Sequence, residues 1–163
     1  MAGYFFDTSA LVKYYHVENG TPEVTRIVSQ PSNEIRVSIL GIVETQSAFA
    51  MKVRAGVLDR KAALALRARL MLDVAAGALR PYALTDDHFE AAERLVTRYA
   101  FSIRLRTLDA LQLAVAPDLR DQGLIHHFVS ADLALLDVAA LAGLNVINPV
   151  LPGQSQAGES APP

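Results

Sequence analysis

Short apolar runs and amphipathic segments alternate along the chain, which predicts strands and helices in regular succession. The first apolar run, Tyr4-Phe5-Phe6, ends at Asp7, and a helical pattern follows from Thr8 to about His16. Further strand patterns cover residues 35–38, 79–84, 127–130 and 144–147. Further helical patterns cover residues 21–30, 39–54, 59–76, 85–99 and 132–142, and another begins at Thr107. This alternation predicts a three-layer α/β domain with a mostly parallel central sheet.

Prolines modify two of these elements. Pro81 predicts that strand 79–84 lies at an edge of the sheet or contains a bulge, because proline cannot donate a ladder hydrogen bond. Pro117 predicts an interruption or an end of the helix that begins at Thr107. Residues 150–163 are rich in Pro, Gly, Ser and Gln, so we expect a disordered tail after one domain formed by residues 1–149.

Composition excludes several classes of protein. The chain has 163 residues, of which 52% are apolar and 20% are charged, as in a globular domain with a substantial core. No apolar run approaches the roughly 18 residues of a membrane span, and we expect no secretory signal. The absence of cysteine excludes disulfides and thiolate metal sites, and a reducing cytoplasm is the expected location.

The net charge of −2 provides no overall attraction to nucleic acid. Any contact with nucleic acid must therefore come from a local basic patch or from a bound cation.

Acidic residues occur at equivalent places in the predicted elements. Asp7 ends the first strand, Glu44 lies early in the helix after the second strand, and Asp109 and Asp132 lie near the starts of two later helices. Because strand ends and helix starts meet at one edge of a parallel sheet, these carboxylates are expected to share a crevice. Converging carboxylates repel one another, and a hard divalent cation such as Mg²⁺ or Mn²⁺ relieves that repulsion.

Each of these acids also has an ordinary structural interpretation. Asp109 and Asp132 stand where an acid complements a helix dipole, and Glu44 could be a solvated helix residue. Asp7 could be a helix cap, although an acid on an apolar strand needs a polar partner. The sequence leaves both interpretations open for each residue.

Several segments resemble the PIN-domain family and, within it, the VapC-type toxin ribonucleases of toxin–antitoxin pairs. The segments occur in the order typical of the family, and together they cover nearly the whole chain except the tail. They are Phe6-Asp7-Thr8-Ser9-Ala10-Leu11-Val12-Lys13, Val43-Glu44, Leu105-Arg106-Thr107-Leu108-Asp109-Ala110-Leu111-Gln112-Leu113-Ala114, Phe128-Val129-Ser130-Ala131-Asp132 and Val146-Ile147-Asn148-Pro149. The resemblance implies a compact α/β/α domain with an acidic, Mg²⁺- or Mn²⁺-dependent endoribonuclease site.

The resemblance also implies roles for individual residues. Asp7 and Asp109 would be the principal metal ligands, and Glu44 and Asp132 would complete the cluster, partly through water. The small hydroxyl residues beside the metal, in accessory roles, would be Ser9 and Ser130. The implied reaction is attack of metal-activated water on an RNA phosphodiester, which leaves a 5′-phosphate and a 3′-hydroxyl.

The implied partners are RNA, a second copy of the chain in a homodimer, and a cognate antitoxin whose C-terminal segment lies in a groove near the site. No membrane partner is expected. The basic residues nearest the inferred crevice are Lys13, Arg104 and Arg106. They are candidates for contacts with RNA phosphates or with the antitoxin, and ordinary surface charge is the alternative for each.

Alternative functions require different residues at the same positions. A phosphatase of the haloacid-dehalogenase type would use Asp7 as a nucleophile but needs a second Asp at the position of Ser9. A non-catalytic PIN-like binding module would be expected to lack one or more of the acids. A housekeeping PIN ribonuclease without an antitoxin would keep them all.

Overall fold

The computed structural model describes residues 2–151, and the predicted tail lies outside this range from residue 152 onward. Within the range, strands and helices alternate much as the sequence predicts. In chain order the elements are β1 (Ala2–Phe6), α1 (Thr8–Tyr15), α2 (Thr21–Val28), β2 (Asn33–Ser38), α3 (Ile39–Arg54), α4 (Arg60–Ala75), β3 (Leu79–Tyr82), α5 (Asp86–Tyr99), α6 (Thr107–Asp121), β4 (His127–Val129), α7 (Leu133–Leu141) and β5 (Val146–Ile147). Over these residues, no helix combines the length and the apolar character that crossing a membrane requires.

The strands form one sheet in the order β3-β2-β1-β4-β5, and every neighbouring pair is parallel. The central strand β1 pairs Phe5 with Arg36 of β2 and Phe6 with Val129 of β4. The chain first builds outward from β1 to β2 and β3, and then builds in the other direction through β4 and β5. The direction of strand addition therefore reverses between β1 and β4. In open α/β sheets, ligands bind at such a reversal point, in the crevice at the carboxyl ends of the strands.

The two faces of the sheet are covered by separate groups of helices. Neighbouring side chains on a strand point to opposite faces, so Phe5 packs with residues of α5, α6 and α7, whereas Phe6 packs with residues of α1 to α4. Phe5 also stacks on Phe128 of β4, with ring centroids 5.7 Å apart. The domain is thus a three-layer α/β/α sandwich, and the predicted fold class is confirmed.

Polar caps start three helices directly after strands of this sheet. Asp7 accepts a hydrogen bond from the Ser9 amide and caps α1, and the Ser38 hydroxyl accepts one from Gly41 and caps α3. Asp132 caps α7 in the same way. Because a cap satisfies backbone N–H groups that the first turn leaves free, these residues set where each helix begins at the carboxyl edge of the sheet.

The structure confirms the prediction made for one of the two prolines and contradicts the other. Pro81 lies in β3, which is an edge strand paired only with β2 among the described strands, as predicted. The prediction that Pro117 interrupts or ends its helix is wrong, because α6 continues to Asp121. Buried residues on both sides of Pro117, including Leu113 and Leu119, anchor the helix between the sheet and its neighbours. That burial outweighs the roughly 3 kcal/mol penalty of an internal proline.

Candidate functional site

A cavity of about 490 Å³ opens at the carboxyl edge of the sheet. Asp7, Glu44, Asp109 and Asp132 all line it, although they come from four separate elements or element ends. Strand β1 delivers Asp7, α3 carries Glu44, the first turn of α6 carries Asp109, and Asp132 lies between β4 and α7. The topology therefore brings together side chains that are more than one hundred residues apart in the chain.

Asp7 is the most enclosed acid of the cavity, with an exposed fraction of only 3%. Its Oδ2 atom accepts hydrogen bonds from the Ser9 amide at 3.1 Å, the Ser9 hydroxyl at 2.5 Å and the Ser130 hydroxyl at 2.9 Å. Burial raises the pKa of Asp7 above its usual range even though these hydrogen bonds act in the opposite direction. Asp7 is therefore both a helix cap and a buried carboxylate at the site.

The two serines connect α1 with the segment after β4. Ser9 Oγ accepts a hydrogen bond from the Ala131 amide at 2.8 Å, and Ser130 Oγ accepts one from the Asp132 amide at 3.0 Å. The two hydroxyl oxygens are 3.2 Å apart. Both serines thus orient the carboxylate of Asp7, and Ser130 also fixes the backbone of Asp132.

Glu44 is held by two polar side chains of neighbouring helices. Its Oε2 atom accepts hydrogen bonds from the Thr8 hydroxyl at 2.9 Å and from the amide of Gln112. The same Gln112 amide nitrogen lies 2.9 Å from the Thr8 hydroxyl oxygen. This three-residue network ties α1, α3 and α6 together at the cavity.

No role for Gln112 is predicted from the sequence. The residue is fully buried in α6, three positions after Asp109, among the apolar residues Leu111 and Leu113. A buried amide needs hydrogen-bond partners, so a glutamine within an apolar helical stretch is the signal that could have identified it. Its partners could not be named from the sequence, because they lie on other elements.

The carboxylates perturb one another electrostatically. Burial, followed by the charge of Asp7, raises the pKa of Asp109, and the charge of Asp132 acts in the same direction. Burial also raises the pKa of Glu44, with further contributions from Asp7 and Asp109, although the Thr8 hydrogen bond opposes the shift. Asp7 therefore lies close enough to Glu44 and Asp109 to disfavour the ionisation of both.

The donor atoms of the cavity fit a hard divalent cation. Carboxylate oxygens from four residues, with serine and threonine hydroxyls beside them, are the ligand type that Mg²⁺ and Mn²⁺ prefer. Within residues 2–151 no three His, Asp or Glu side chains stand at the spacing of a preformed metal centre. Wider spacing is expected of carboxylates that repel one another, and a cation would counter that repulsion.

The basic residues predicted near the site differ in position. Lys13 and Arg106 line the cavity, as do Lys52 and Arg54, which were not predicted from the sequence to lie near the site. Arg104 is exposed and does not belong to the described residues that line the cavity.

Comparison with known structures shows which proteins share this fold. The toxin VapC20 of Mycobacterium tuberculosis is 21% identical, with a TM-score of 0.61, and the match covers 86% of this chain and 95% of that one. VapBC2 of Rickettsia felis is 13% identical, with a TM-score of 0.59 and coverage of 90% and 98%. A toxin–antitoxin complex from Klebsiella pneumoniae is 16% identical, with a TM-score of 0.56 and coverage of 91% and 98%.

At these identities the structural matches show a shared fold. No curated protein sequence is significantly similar to the chain. The family model of the PIN domain matches residues 4–141, which include all four cavity acids and both serines. The chain therefore belongs to the PIN-domain family.

Proposed function

We propose that the protein is a metal-dependent endoribonuclease and the toxin of a type II toxin–antitoxin pair. The observation that carries this proposal is the convergence of Asp7, Glu44, Asp109 and Asp132 on one cavity at the carboxyl edge of a parallel sheet. A binding module has no evident need for four acids that line one cavity. An enzyme that holds a divalent cation against a phosphodiester does need them.

The similar structures support the same class of function. VapC20 of Mycobacterium tuberculosis is described as a toxin that cleaves the sarcin–ricin loop, and the Klebsiella pneumoniae structure is a toxin–antitoxin complex. By analogy, we propose that the substrate is RNA and that a cognate antitoxin binds this chain in the cytoplasm. A homodimer is part of the same proposal.

The four acids and several residues near them have proposed tasks. Asp7 and Asp109 would be the principal ligands of Mg²⁺ or Mn²⁺, and Glu44 and Asp132 would complete the ligand set. A bound divalent cation supplies Lewis-acid stabilisation of charge on the phosphate. Ser9 and Ser130 hold the Asp7 carboxylate in one orientation through hydrogen bonds to Oδ2. Arg106 lines the cavity and is proposed, with the exposed Arg104, to contact RNA phosphates.

The direct test is cleavage of a panel of single-stranded and structured RNAs by the purified protein without antitoxin. We expect cleavage with Mg²⁺ or Mn²⁺, none with EDTA, and none with Asp7→Asn. Asp137→Asn is the matched control, because Asp137 is an exposed acid on α7 outside the cavity. Cleavage that persists in EDTA or in Asp7→Asn would contradict the proposed site.

A further inference from the structure

A second charged cluster lines the same cavity as the acids. The ammonium nitrogen of Lys13 lies 2.9 Å from Glu18 Oε1, and that of Lys52 lies 2.8 Å from Glu18 Oε2. Glu18 therefore holds two lysines, one from α1 and one from α3, against a single carboxylate. All three side chains line the cavity.

The two lysines are held in place before any ligand arrives. Their side chains are only 11% and 18% exposed for Lys13 and Lys52 respectively. The stem of Lys13 is closely packed, since a Cβ atom on Gly20 would lie 3.1 Å from Lys13 Cδ. Side-chain freedom that is lost on folding is not lost again on binding, so such ammonium groups are preorganised for an anion.

The cluster of Lys13, Lys52 and Glu18 carries one net positive charge. Two ammonium groups face one carboxylate, and the guanidinium group of Arg54 also lines the cavity. Burial alone would raise the pKa of Glu18, but hydrogen bonds from Lys52 and Lys13 lower it, so the carboxylate stays ionised. Each ammonium group has three donors, and Glu18 occupies one of each, which leaves donors for a further anion.

The lysines are set apart from the acids along two helices. Lys13 in α1 follows Asp7, the N-cap of that helix, by six residues, and Lys52 follows Glu44 by eight residues in α3. At 1.5 Å per residue these intervals correspond to about 9 Å and about 12 Å along the helix axes. The backbones of the two lysines are therefore offset from the acids along both helices.

We propose that Lys13 and Lys52, aligned by Glu18, form a subsite for a non-scissile phosphate of single-stranded RNA. The proposal rests on the proposed ribonuclease function and describes how the same cavity positions its substrate. An RNA strand has a phosphate at every nucleotide, so one strand can reach both the acidic part of the cavity and the lysines. The lysines are positioning residues, and the acids remain the reacting part of the site.

The test is the salt dependence of RNA binding, measured by fluorescence anisotropy with a short labelled single-stranded RNA of mixed sequence. All variants carry Asp7→Asn so that the RNA stays intact. For Lys52→Gln we expect the slope of log K against log salt to shrink by about 0.7, the value of one phosphate contact on a single strand. We expect affinity to fall roughly three- to tenfold.

Matched variants separate this subsite from general damage to the protein. Lys61→Gln removes an exposed lysine of α4 outside the cavity and should leave the slope unchanged. Lys52→Arg keeps the charge and should restore the slope. In the otherwise wild-type enzyme, Lys52→Gln should raise KM more than it lowers kcat. An unchanged slope in both Lys13→Gln and Lys52→Gln overturns the subsite.

The two proposals fail in distinguishable ways. If the wild type cleaves RNA but the lysine variants bind it with an unchanged slope, only the subsite is wrong. If the slope falls as expected but no RNA is cut in any metal, the lysines bind an RNA phosphate but the ribonuclease proposal is wrong.

Discussion

The hydroxyl of Ser130 donates a hydrogen bond of 2.9 Å to Oδ2 of Asp7, which joins two residues 123 positions apart. The bond connects the end of β4 with the end of β1, the neighbouring strands at which the direction of sheet building reverses. It orients this buried carboxylate together with the hydrogen bonds that the amide and hydroxyl of Ser9 donate to the same oxygen. The consequences of this relationship are testable.

Ser130→Ala removes one donor from Asp7 and also the acceptor of the Asp132 amide. Loss of a residue that orients a metal ligand typically lowers metal affinity or activity by about 10–100-fold. We expect a loss in that range for RNA cleavage, together with weaker Mn²⁺ binding in calorimetry. Ser32→Ala, at an exposed turn residue, is the control and should change neither quantity.

Asp7→Asn should stabilise the metal-free protein. Burial raises the pKa of Asp7 in the folded state, so the folded protein binds its proton more tightly than the unfolded chain does. Ionisation of Asp7 therefore lowers the free energy of unfolding. The loss begins near pH 4, the ordinary pKa of a carboxyl group, and grows as the pH rises through the raised pKa of Asp7. Asparagine removes this penalty. We expect a higher Tm at pH 7 in EDTA, with about 2–4 °C for each kcal/mol gained. A lower Tm would mean that the hydrogen bonds to Asp7 stabilise the folded protein by more than the burial of its charge destabilises it.

Divalent cations should stabilise the wild type and should not stabilise Asp7→Asn or Asp109→Asn. A ligand at 100 times its Kd adds about 2.7 kcal/mol to the free energy of unfolding. The raised pKa values of Glu44 and Asp109 further predict tighter metal binding as pH increases, because the ligands must first lose their protons. Thermal scans and calorimetry with Mn²⁺ at acidic and neutral pH check both expectations. Equal stabilisation of the variants would place the cation elsewhere.

Gln112→Leu tests whether the network at Glu44 serves activity or only packing. Leucine keeps most of the buried volume but removes the amide that contacts Glu44 and Thr8. It also removes Gln112 Oε1, a buried atom without a hydrogen-bond partner in the described part of the chain. We therefore expect little change in the urea midpoint but a loss of about tenfold in kcat, since Glu44 is no longer fixed. Gln30→Leu, at an exposed position, should leave kcat unaffected.

Pro117→Ala should stabilise the protein without altering its activity. The residue lies inside α6, where proline lacks the N–H that alanine would supply to the helix. Alanine is favoured over proline in a helix interior by up to about 3 kcal/mol, and we expect about 1–3 kcal/mol by urea denaturation. RNA cleavage is the accompanying measurement. A destabilised variant would show that neighbouring helices are packed specifically around the proline ring.

The sequence by itself determined the order of strands and helices and the edge of the sheet at which Asp7, Glu44, Asp109 and Asp132 lie. These features follow from local rules, because hydrophobic period and helix capping depend on residues only a few positions apart. A parallel sheet then places all strand ends of one kind at one edge. Pro117 shows the limit of local rules, since burial of α6 on both sides of the proline overrides its helix-breaking tendency.

Only the tertiary structure decided which polar side chains contact one another. The bonds from Ser130 to Asp7 and from Gln112 to Glu44 depend on how strands and helices from distant parts of the chain are placed side by side. The joining of Lys13 and Lys52 through Glu18 likewise requires α1 to lie beside α3. Contacts of this kind depend on the rotation and spacing of packed elements, and no local pattern encodes these.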